Sequence, residues 1–280
     1  MEHRRDLPWR RTCDPWHILV SEVMLQQTQV DRVLPYYERF LAEFPSAPAC
    51  ARARPADVVR LWAGLGYNRR ALHLHRAAQV VTREHGGRVP HDDVALRALP
   101  GVGPYTARAI RAFAYGDNVA AIDTNGMRVL ARCVSGVPLT FTAAMALGDR
   151  LVPAGGSWKF NQAMFDLGAT VCTASGPDCT ACPMRRQCRW RRAGRAGPAA
   201  PDPWRAGPSA RPQSVFAGSD RQGRGRLLDA LRTGTVPEKR LAAACGWPDD
   251  PPRAARIAAA LVDEGFARWS GGADPVLRLC

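Results

Sequence analysis

Leu99-Pro-Gly-Val-Gly-Pro-Tyr-Thr-Ala107 places two glycines one residue apart between two stretches with helical spacing. A tight turn of this kind exposes successive backbone N–H groups at a helix N-terminus, where they can bind an anion. The pattern is typical of a helix-hairpin-helix phosphate clamp, which holds a nucleic-acid backbone without reading its sequence. We therefore predict backbone contacts from Gly101, Val102 and Gly103.

The charge of the chain favours the same class of partner. The sequence has 39 lysines and arginines against 25 acidic residues, with a net charge of +14 and a pI near 10.1. This balance is typical of a protein that binds a polyanion. Apolar runs of about 18 residues and the apolar stretch of a secretory signal are both missing. We expect a cytoplasmic protein with a nucleic-acid partner and no membrane partner.

Composition and periodicity divide the chain into three parts. Residues 1–192 contain a series of predicted helices, and because no persistent period-two alternation precedes residue 265 this part is predicted to be all-α. Residues 193–215 are rich in proline and glycine, which is typical of an extended linker. Residues 216–280 contain three predicted helices and then two strands, the order of a winged-helix module that binds DNA or a protein.

Apolar spacing predicts the local structure within these parts. Residues 16–34 keep one helical repeat, and Pro35 then interrupts it. The predicted helices of the C-terminal module cover residues 222–232, 238–245 and 252–264, and its predicted strands cover residues 265–269 and 276–279.

Four cysteines form a compact group with the spacing C-x6-C-x2-C-x5-C: Cys172, Cys179, Cys182 and Cys188. Without a secretion signal these thiols should be reduced, and four thiolates at this spacing hold zinc or an iron–sulfur cluster. Structural zinc usually takes two paired knuckles, whereas only the middle two cysteines form such a pair, so a single cluster fits better. The other five cysteines are expected to be small apolar residues without special chemistry.

Two carboxylates stand in unusual settings. Glu22 lies within the apolar stretch 18–25, where desolvation would raise its pKa and keep it protonated near neutral pH. Asp123 precedes a predicted helix, so it is either an ordinary N-cap or an anion directed at a bound nucleotide. One acid and one anion placed against an anomeric carbon are the groups that N-glycosidic cleavage requires.

Together these residues resemble the helix-hairpin-helix (HhH-GPD) superfamily of DNA glycosylases, and within it the MutY-type adenine DNA glycosylases. The matching stretches lie between residues 7 and 188: Leu7-Pro-Trp-Arg10, Ser21-Glu-Val-Met-Leu-Gln-Gln-Thr28, Gly64-Leu-Gly-Tyr67, Leu99 to Thr106, Asp123-Thr-Asn125, Asp166-Leu-Gly-Ala169 and the cysteine loop. The resemblance implies a mainly α fold of two helical lobes, with a [4Fe–4S] cluster and a substrate base flipped into the cleft between the lobes.

The resemblance also implies a role for individual residues. Glu22 would be the general acid that protonates adenine N7, and Asp123 would be the carboxylate that stabilises the sugar cation. Tyr105 and Asn125 would assist the acid and position the sugar. The remaining matches are to residues that wedge into the duplex, Gln27, Leu65 and Tyr67, and to the adenine pocket, Trp9, Arg10 and Asp166. Extrusion of a base costs a few kcal/mol, which a wedge and a stacked pocket can offset.

Several alternatives remain open at this point. Related enzymes with lyase activity use a lysine beside the hairpin, where this chain has Tyr105, so a monofunctional glycosylase is favoured. The expected substrate is double-stranded DNA in which adenine is mispaired with 8-oxoguanine or guanine, acted on by a monomer that is associated with the nucleoid if the source is bacterial. A thymine or uracil mismatch glycosylase is the nearest alternative, and a non-catalytic iron–sulfur DNA-binding regulator is the other.

Two features depart from the family pattern. MutY-type enzymes commonly carry a C-terminal domain that recognises 8-oxoguanine, and residues 193–280 are too short for that domain. Asn68 stands where the family usually has a second aromatic residue after Tyr67. Both departures concern recognition of the lesion and leave the expected chemistry intact.

Overall fold

The computed structural model describes residues 5–194, 202–204, 215–272 and 274–280. These residues form two compact units. The first unit comprises the described residues of Met1–Glu22, Val89–Ala98 and Val102–Arg211, and the second comprises those of Val23–Arg88, Leu99–Gly101 and Pro212–Cys280. The C-terminal module therefore belongs to the same compact unit as residues 23–88. The predicted linker 193–215 lies largely outside the described residues.

Helices build the chain up to residue 192. In chain order they are α1 (Pro15–Leu25), α2 (Val30–Glu43), α3 (Ala47–Arg52), α4 (Pro55–Leu61), α5 (Arg69–Glu84), α6 (Asp93–Ala98), α7 (Pro104–Ala114), α8 (Thr124–Val129), α9 (Phe141–Leu151), α10 (Ser157–Asp166) and α11 (Arg189–Arg192). A 3-10 turn covers Pro8–Arg10, and π-helical segments cover Leu130–Ser135 and Leu167–Val171. Within the described residues up to 192 no strand is present, as the missing period-two alternation predicts.

The helical repeat predicted for residues 16–34 is wrong at its middle. Helix α1 ends at Leu25 and α2 begins at Val30, and between them Gln27 has a left-handed φ of 56°. Pro35 does not interrupt the chain as expected, because it lies inside α2. Residues 18–24 of α1 are all buried, whereas α2 buries one face with Val33, Tyr37 and Phe40, so periodicity alone could not place the boundary.

The C-terminal module has the winged-helix order. Its helices are α12 (Asp220–Thr233), α13 (Leu241–Cys245) and α14 (Pro251–Asp263), and its strands are β1 (Val236–Pro237), β2 (Ala267–Trp269) and β3 (Val276–Leu279). All neighbouring strands are antiparallel in the order β1-β3-β2. The sequence did not predict β1, because two residues are too few for an alternating pattern.

The cores of the two units consist of aliphatic and aromatic side chains that are almost fully buried. Ile122, Leu130 and Ala144 form part of the core of the first unit, and Trp62 and Leu65 lie in the second with exposures of 0% and 2%. In the described parts of the chain, no helix is long and apolar enough to cross a membrane.

Candidate active site

Glu22 is a buried acid in the first unit. It lies in α1 among Leu19, Val20 and Val23, and only 6% of its surface is exposed. Burial raises the pKa of Glu22 to about 7, a hydrogen bond with Tyr105 opposes the rise, and the negative charge of Asp123 adds to it. The carboxyl group is therefore half protonated at neutral pH, as a general acid requires.

Tyr105 stands in the first turn of α7, directly after the glycine turn. Gly101 has a φ of 82°, and Gly103 is the extended N-cap residue that precedes Pro104 at the first helical position. Burial raises the pKa of Tyr105 well above its usual value, and the charges of Glu22 and Asp123 raise it further. The phenol stays protonated, so its hydroxyl can donate the hydrogen bond to Glu22. The hairpin thereby places a hydrogen-bond donor, the hydroxyl of Tyr105, beside the carboxyl group of Glu22.

Asp123 is both a helix N-cap and a member of a hydrogen-bonded pair. Its Oδ1 accepts a 2.7 Å hydrogen bond from the backbone N–H of Gly126, which is the ordinary capping contact. Its Oδ2 accepts a 2.9 Å hydrogen bond from Nδ2 of Asn125. The two interpretations of Asp123 are thus compatible, because the capping geometry fixes a carboxylate whose charge also acts on Glu22.

Arg128 connects this pair to the cysteine loop. It is 4% exposed, and its Nη2 donates to Oδ1 of Asn125 at 2.8 Å and to the carbonyl of Gly168 at 2.6 Å. Its Nε donates to the carbonyl of Cys172 at 2.7 Å. Gly168 must be a glycine here, since a Cβ atom would lie 2.6 Å from that of Asn125.

Arg10 and Asp166 form a buried ion pair in the first unit. Two hydrogen bonds of 2.8 Å join Nη1 and Nη2 of Arg10 to the carboxylate, and Nε of Arg5 donates to it at 2.8 Å. Burial opposes ionisation of Asp166, but the hydrogen bonds and charges of both arginines prevail and lower its pKa. Nε of Arg10 is buried and has no hydrogen-bond partner among the described residues. Trp9 is buried in the same 3-10 turn as Arg10.

The three predicted wedge residues lie in the second unit and differ from one another. Gln27 and Tyr67 are the non-glycine residues with positive φ in the described chain, at 56° and 47°, and Tyr67 is 49% exposed. Leu65 is only 2% exposed, so its side chain belongs to the core of the unit and is not presented to a duplex in this structure. Gly101 and Gly103 are half-buried, and Val102 is buried.

Arg70 holds both loops that carry the exposed wedge residues. Its Nη1 donates to the carbonyls of Val23, Met24 and Gln26 at 3.0, 2.6 and 2.5 Å, which satisfies the C-terminal end of α1. Its Nη2 donates to the carbonyl of Gly66 at 3.0 Å. Burial lowers the pKa of this guanidinium to about 10, so it remains charged at neutral pH.

The four predicted metal-ligand cysteines line one pocket. The described residues contain no group of three or more histidine, cysteine or acidic side chains close enough to hold a single metal ion. Four thiols around one pocket are the type of ligand that an iron–sulfur cluster takes. Arg132 adds a hydrogen bond of 3.5 Å to the sulfur of Cys172.

Cys133 is a buried residue, as expected of a small apolar side chain, and it lies beside the predicted cluster ligands. It lines the same pocket and packs with Cys172 and Cys188 in one buried cluster. Its separation of 39 residues from Cys172 in the sequence hid this contact.

The fold and the site define a class of protein. A protonatable acid facing a fixed carboxylate, beside a helix-hairpin-helix turn, is the arrangement expected of a base-excision DNA glycosylase. Comparison with known families gives the same class, because residues 20–138 match the HhH-GPD superfamily base excision DNA repair protein.

Known relatives narrow this class to one activity. The chain is 44% identical over 272 residues to the adenine DNA glycosylase of Mycolicibacterium smegmatis, covering 94% of this chain and 88% of that protein. It is 40% identical over 204 residues to the adenine DNA glycosylase of Homo sapiens, covering 68% of this chain and 37% of that protein. A thermostable thymine-DNA glycosylase has a similar structure, with a TM-score of 0.64, 33% identity, and coverage of 68% of this chain and 89% of that chain. The chain belongs to the adenine DNA glycosylase family and is an enzyme that removes adenine from DNA in base excision repair.

Proposed function

We propose that this glycosylase removes adenine that is mispaired with 8-oxoguanine or guanine, by hydrolysis and without lyase activity. The observation that carries the proposal is Glu22, a buried carboxyl group with a pKa of about 7 that is hydrogen-bonded to Tyr105 and subject to the charge of Asp123. An acid that is about half protonated at neutral pH can protonate a leaving base, and a nearby anion can stabilise the positive sugar that remains.

In the proposed mechanism Glu22 transfers its proton to N7 of adenine. The bond between C1′ and the base breaks, and the electron pair leaves with the adenine. Asp123, oriented by Asn125 and Gly126, stabilises the oxocarbenium-like sugar with its negative charge. A water molecule adds to C1′ and returns a proton to Glu22, which leaves free adenine, an abasic site and an unchanged enzyme.

The hydrolytic outcome follows from the position of the lysines. The chain has two lysines, Lys159 on α10 and Lys239 in the C-terminal module, and Tyr105 occupies the place beside the hairpin. A Schiff base needs an amine at the reacting carbon. We therefore expect an intact abasic strand as the product.

In the same proposal Cys172, Cys179, Cys182 and Cys188 hold a [4Fe–4S] cluster. When bound, the cluster would fix the loop and its arginines as a positively charged surface for the DNA backbone. Gln27 and Tyr67 would enter the duplex, and Trp9, Arg10 and Asp166 would border the adenine pocket. The enzyme would act in the cytoplasm as a monomer on double-stranded DNA that contains a mispair, and it would be associated with the nucleoid if its source is bacterial.

One observation supports a second candidate substrate. The similar structure with a TM-score of 0.64 is that of a thymine-DNA glycosylase, and Tyr105 would also suit removal of thymine or uracil opposite guanine. Its 33% identity is lower than the 44% identity to an adenine DNA glycosylase. We therefore retain adenine as the proposed target and test the other bases beside it.

The test is single-turnover base release by cluster-loaded protein on duplexes that contain A:8-oxoG, A:G, T:G or U:G, with alkali to reveal abasic sites. We expect fast release of adenine from the first two duplexes and no strand breaks before alkali. Release confined to thymine or uracil would overturn the substrate, and release from none would favour a DNA-binding regulator. The Glu22→Gln variant is the matched control, because it keeps the shape of the side chain without the acid.

A further inference from the structure

The C-terminal module contacts α5, the helix that begins two residues after Tyr67. The carboxylate of Glu264 accepts two hydrogen bonds of 2.8 Å from Arg69 and two of 3.0 and 2.8 Å from Arg224. Its backbone carbonyl accepts another from Nη2 of Arg76 at 2.8 Å. The end of α14 and the side of α12 are thereby fixed to the first two turns of α5.

Asn68 provides a second connection, one residue away from Tyr67. Asn68 is the N-cap residue of α5, but its side chain makes no capping hydrogen bond. Its Oδ1 accepts a 2.8 Å hydrogen bond from Nη2 of Arg232 in α12 instead. An N-cap asparagine ordinarily binds the backbone of its own helix, so here the usual partner has been exchanged for the C-terminal module.

Arg232 is itself held in place and can therefore fix the position of Asn68. Its side chain is only 9% exposed, and its Nε donates to the carbonyl of Val59 at 3.2 Å. Its other terminal nitrogen pairs with Asp229. Because so little of the guanidinium is exposed, Arg232 cannot act by binding a DNA phosphate, and its effect must pass through the residues that it contacts.

Tyr67 needs such support. Its φ of 47° is unfavourable for a bulky side chain, and a conformation of this kind persists only where its surroundings impose it. On one side the guanidinium of Arg70 lies 5.4 Å from the centre of the tyrosine ring and bonds the carbonyl of Gly66. On the other side the next residue along the chain, Asn68, accepts a hydrogen bond from Arg232.

We propose that the C-terminal module positions the wedge: Arg232, through Asn68, holds Tyr67 in the conformation that enters the duplex at a mispair. The inference rests on the wedge role proposed for Tyr67. It assigns a function to residues 216–280, and it gives Asn68 a reason to differ from the aromatic residue that the family pattern has there. Arg232 and Asn68 are positioning residues in this proposal and do not touch the reacting atoms.

The test is a double-mutant cycle with Arg232→Met, Asn68→Ala and the combined variant. Three quantities are measured for each protein: the Kd for mispaired and matched duplexes, the maximal single-turnover rate at saturating protein, and the fluorescence of 2-aminopurine placed beside the mispair. Arg256→Met removes the same charge from an exposed arginine of α14 that makes no hydrogen bond or ion pair with any described residue. Arg232→Lys, which can still donate to Asn68, tests for rescue.

We expect each single substitution to weaken binding of the mispaired duplex about tenfold, with little change for the matched duplex. The combined variant should be no worse than either single variant, and the maximal rate should fall far less than the affinity. When the wild type binds the mispaired duplex, the fluorescence of the neighbouring 2-aminopurine should rise. This rise should be lost with Arg232→Met, retained with Arg256→Met and largely restored with Arg232→Lys.

Two results would distinguish failure of the wedge role proposed for Tyr67 from failure of the positioning role proposed for the C-terminal module. If Tyr67→Ala binds mispaired DNA as well as the wild type, the proposed wedge is wrong and this inference falls with it. If Tyr67→Ala loses discrimination while Arg232→Met retains it, or if the two effects in the cycle add, only the inference about the module is overturned. Thermal unfolding of each variant distinguishes loss of positioning from loss of folded protein.

Discussion

Arg128 and Asn125 are joined by a 2.8 Å hydrogen bond that runs from the guanidinium to the amide oxygen. The same guanidinium reaches the carbonyl of Cys172, and the same amide donates to Asp123. A buried arginine therefore connects the first cysteine of the predicted cluster loop to the carboxylate that stabilises the sugar in the proposed mechanism. Each contact is charge-assisted or buried, and both properties strengthen a hydrogen bond.

This connection predicts the effect of Arg128→Met. The substitution keeps the length of the side chain but removes the donors to Asn125 and Cys172, so the orientation of Asp123 and the anchoring of the loop should both suffer. We expect the single-turnover rate of adenine release to fall about 10–100-fold, the range found for residues that orient a functional group. The visible absorbance of the cluster-loaded protein should also decay faster. Arg150→Met, at an exposed arginine of α9, is the control and should change neither quantity.

Gly168→Ala tests the same network from its opposite side. The added methyl group would lie 2.6 Å from Cβ of Asn125, so the asparagine must shift and take its hydrogen bond to Asp123 with it. A displacement of about 1 Å can cost about a hundredfold in rate, and we expect a loss of that order in single-turnover release. Gly225→Ala in α12, where an added Cβ meets nothing within 4 Å, should leave the rate unchanged. A normal rate for Gly168→Ala would show that Asn125 does not orient the carboxylate.

The pKa of Glu22 predicts a pH profile. Because the acid must be protonated to act, the second-order rate constant of the free enzyme should be highest below pH 7 and should fall as the pH rises through the pKa of about 7. The fall approaches about tenfold per pH unit once the carboxylate dominates. Binding of an undamaged duplex, measured over the same pH range, shows whether the change is in chemistry or in association. A rate that stays constant up to pH 9 would contradict the assignment of Glu22 as the acid.

The ion pair of Arg10 and Asp166 predicts a large effect on stability. Their side chains are 3% and 9% exposed, so Asp166→Asn would leave a buried guanidinium without its counter-ion and should lower the free energy of unfolding by about 3–5 kcal/mol. Asp6→Asn, at an exposed pair with Arg11, should change it by less than about 1 kcal/mol. The pKa of Asp166 is lowered in the folded protein. Its stabilising contribution is therefore complete above the pKa of the unfolded chain and is lost as the pH falls, so the two proteins should converge in acid.

Local patterns predicted most of the fold and several groups of the site. The apolar neighbours of Glu22 lie within a few residues of sequence, and the raised pKa that they predict is found in the structure. The roles predicted for the hairpin glycines and for the cysteine spacing remain predictions. Arg128, Gly168 and Arg232 were missed because the contacts that connect them to Cys172, Asn125 and Asn68 span more than 40 residues of sequence. Leu65 was assigned by its place in a motif, and its side chain is 2% exposed in this structure, which no local pattern indicated.

Glu22→Gln should make the protein more stable while it removes the activity. In the folded protein the pKa of Glu22 rises from 4.5 to about 7, chiefly through burial. Between these two pH values the unfolded chain releases a proton that the folded protein retains, so the stability of the wild type falls as the pH increases, by about 3 kcal/mol in all. Glutamine carries no proton to lose and lacks this penalty.

The measurement is the difference in unfolding free energy between Glu22→Gln and the wild type, followed from pH 4 to pH 8 by denaturant titration. The difference should grow as the pH rises from about 4.5 to about 7 and then stay constant. Glu38→Gln, at an exposed glutamate of α2, should show no such growth. A difference that does not depend on pH would mean that Glu22 is ionised in the folded protein at neutral pH, and the proposed acid would then have no proton to give.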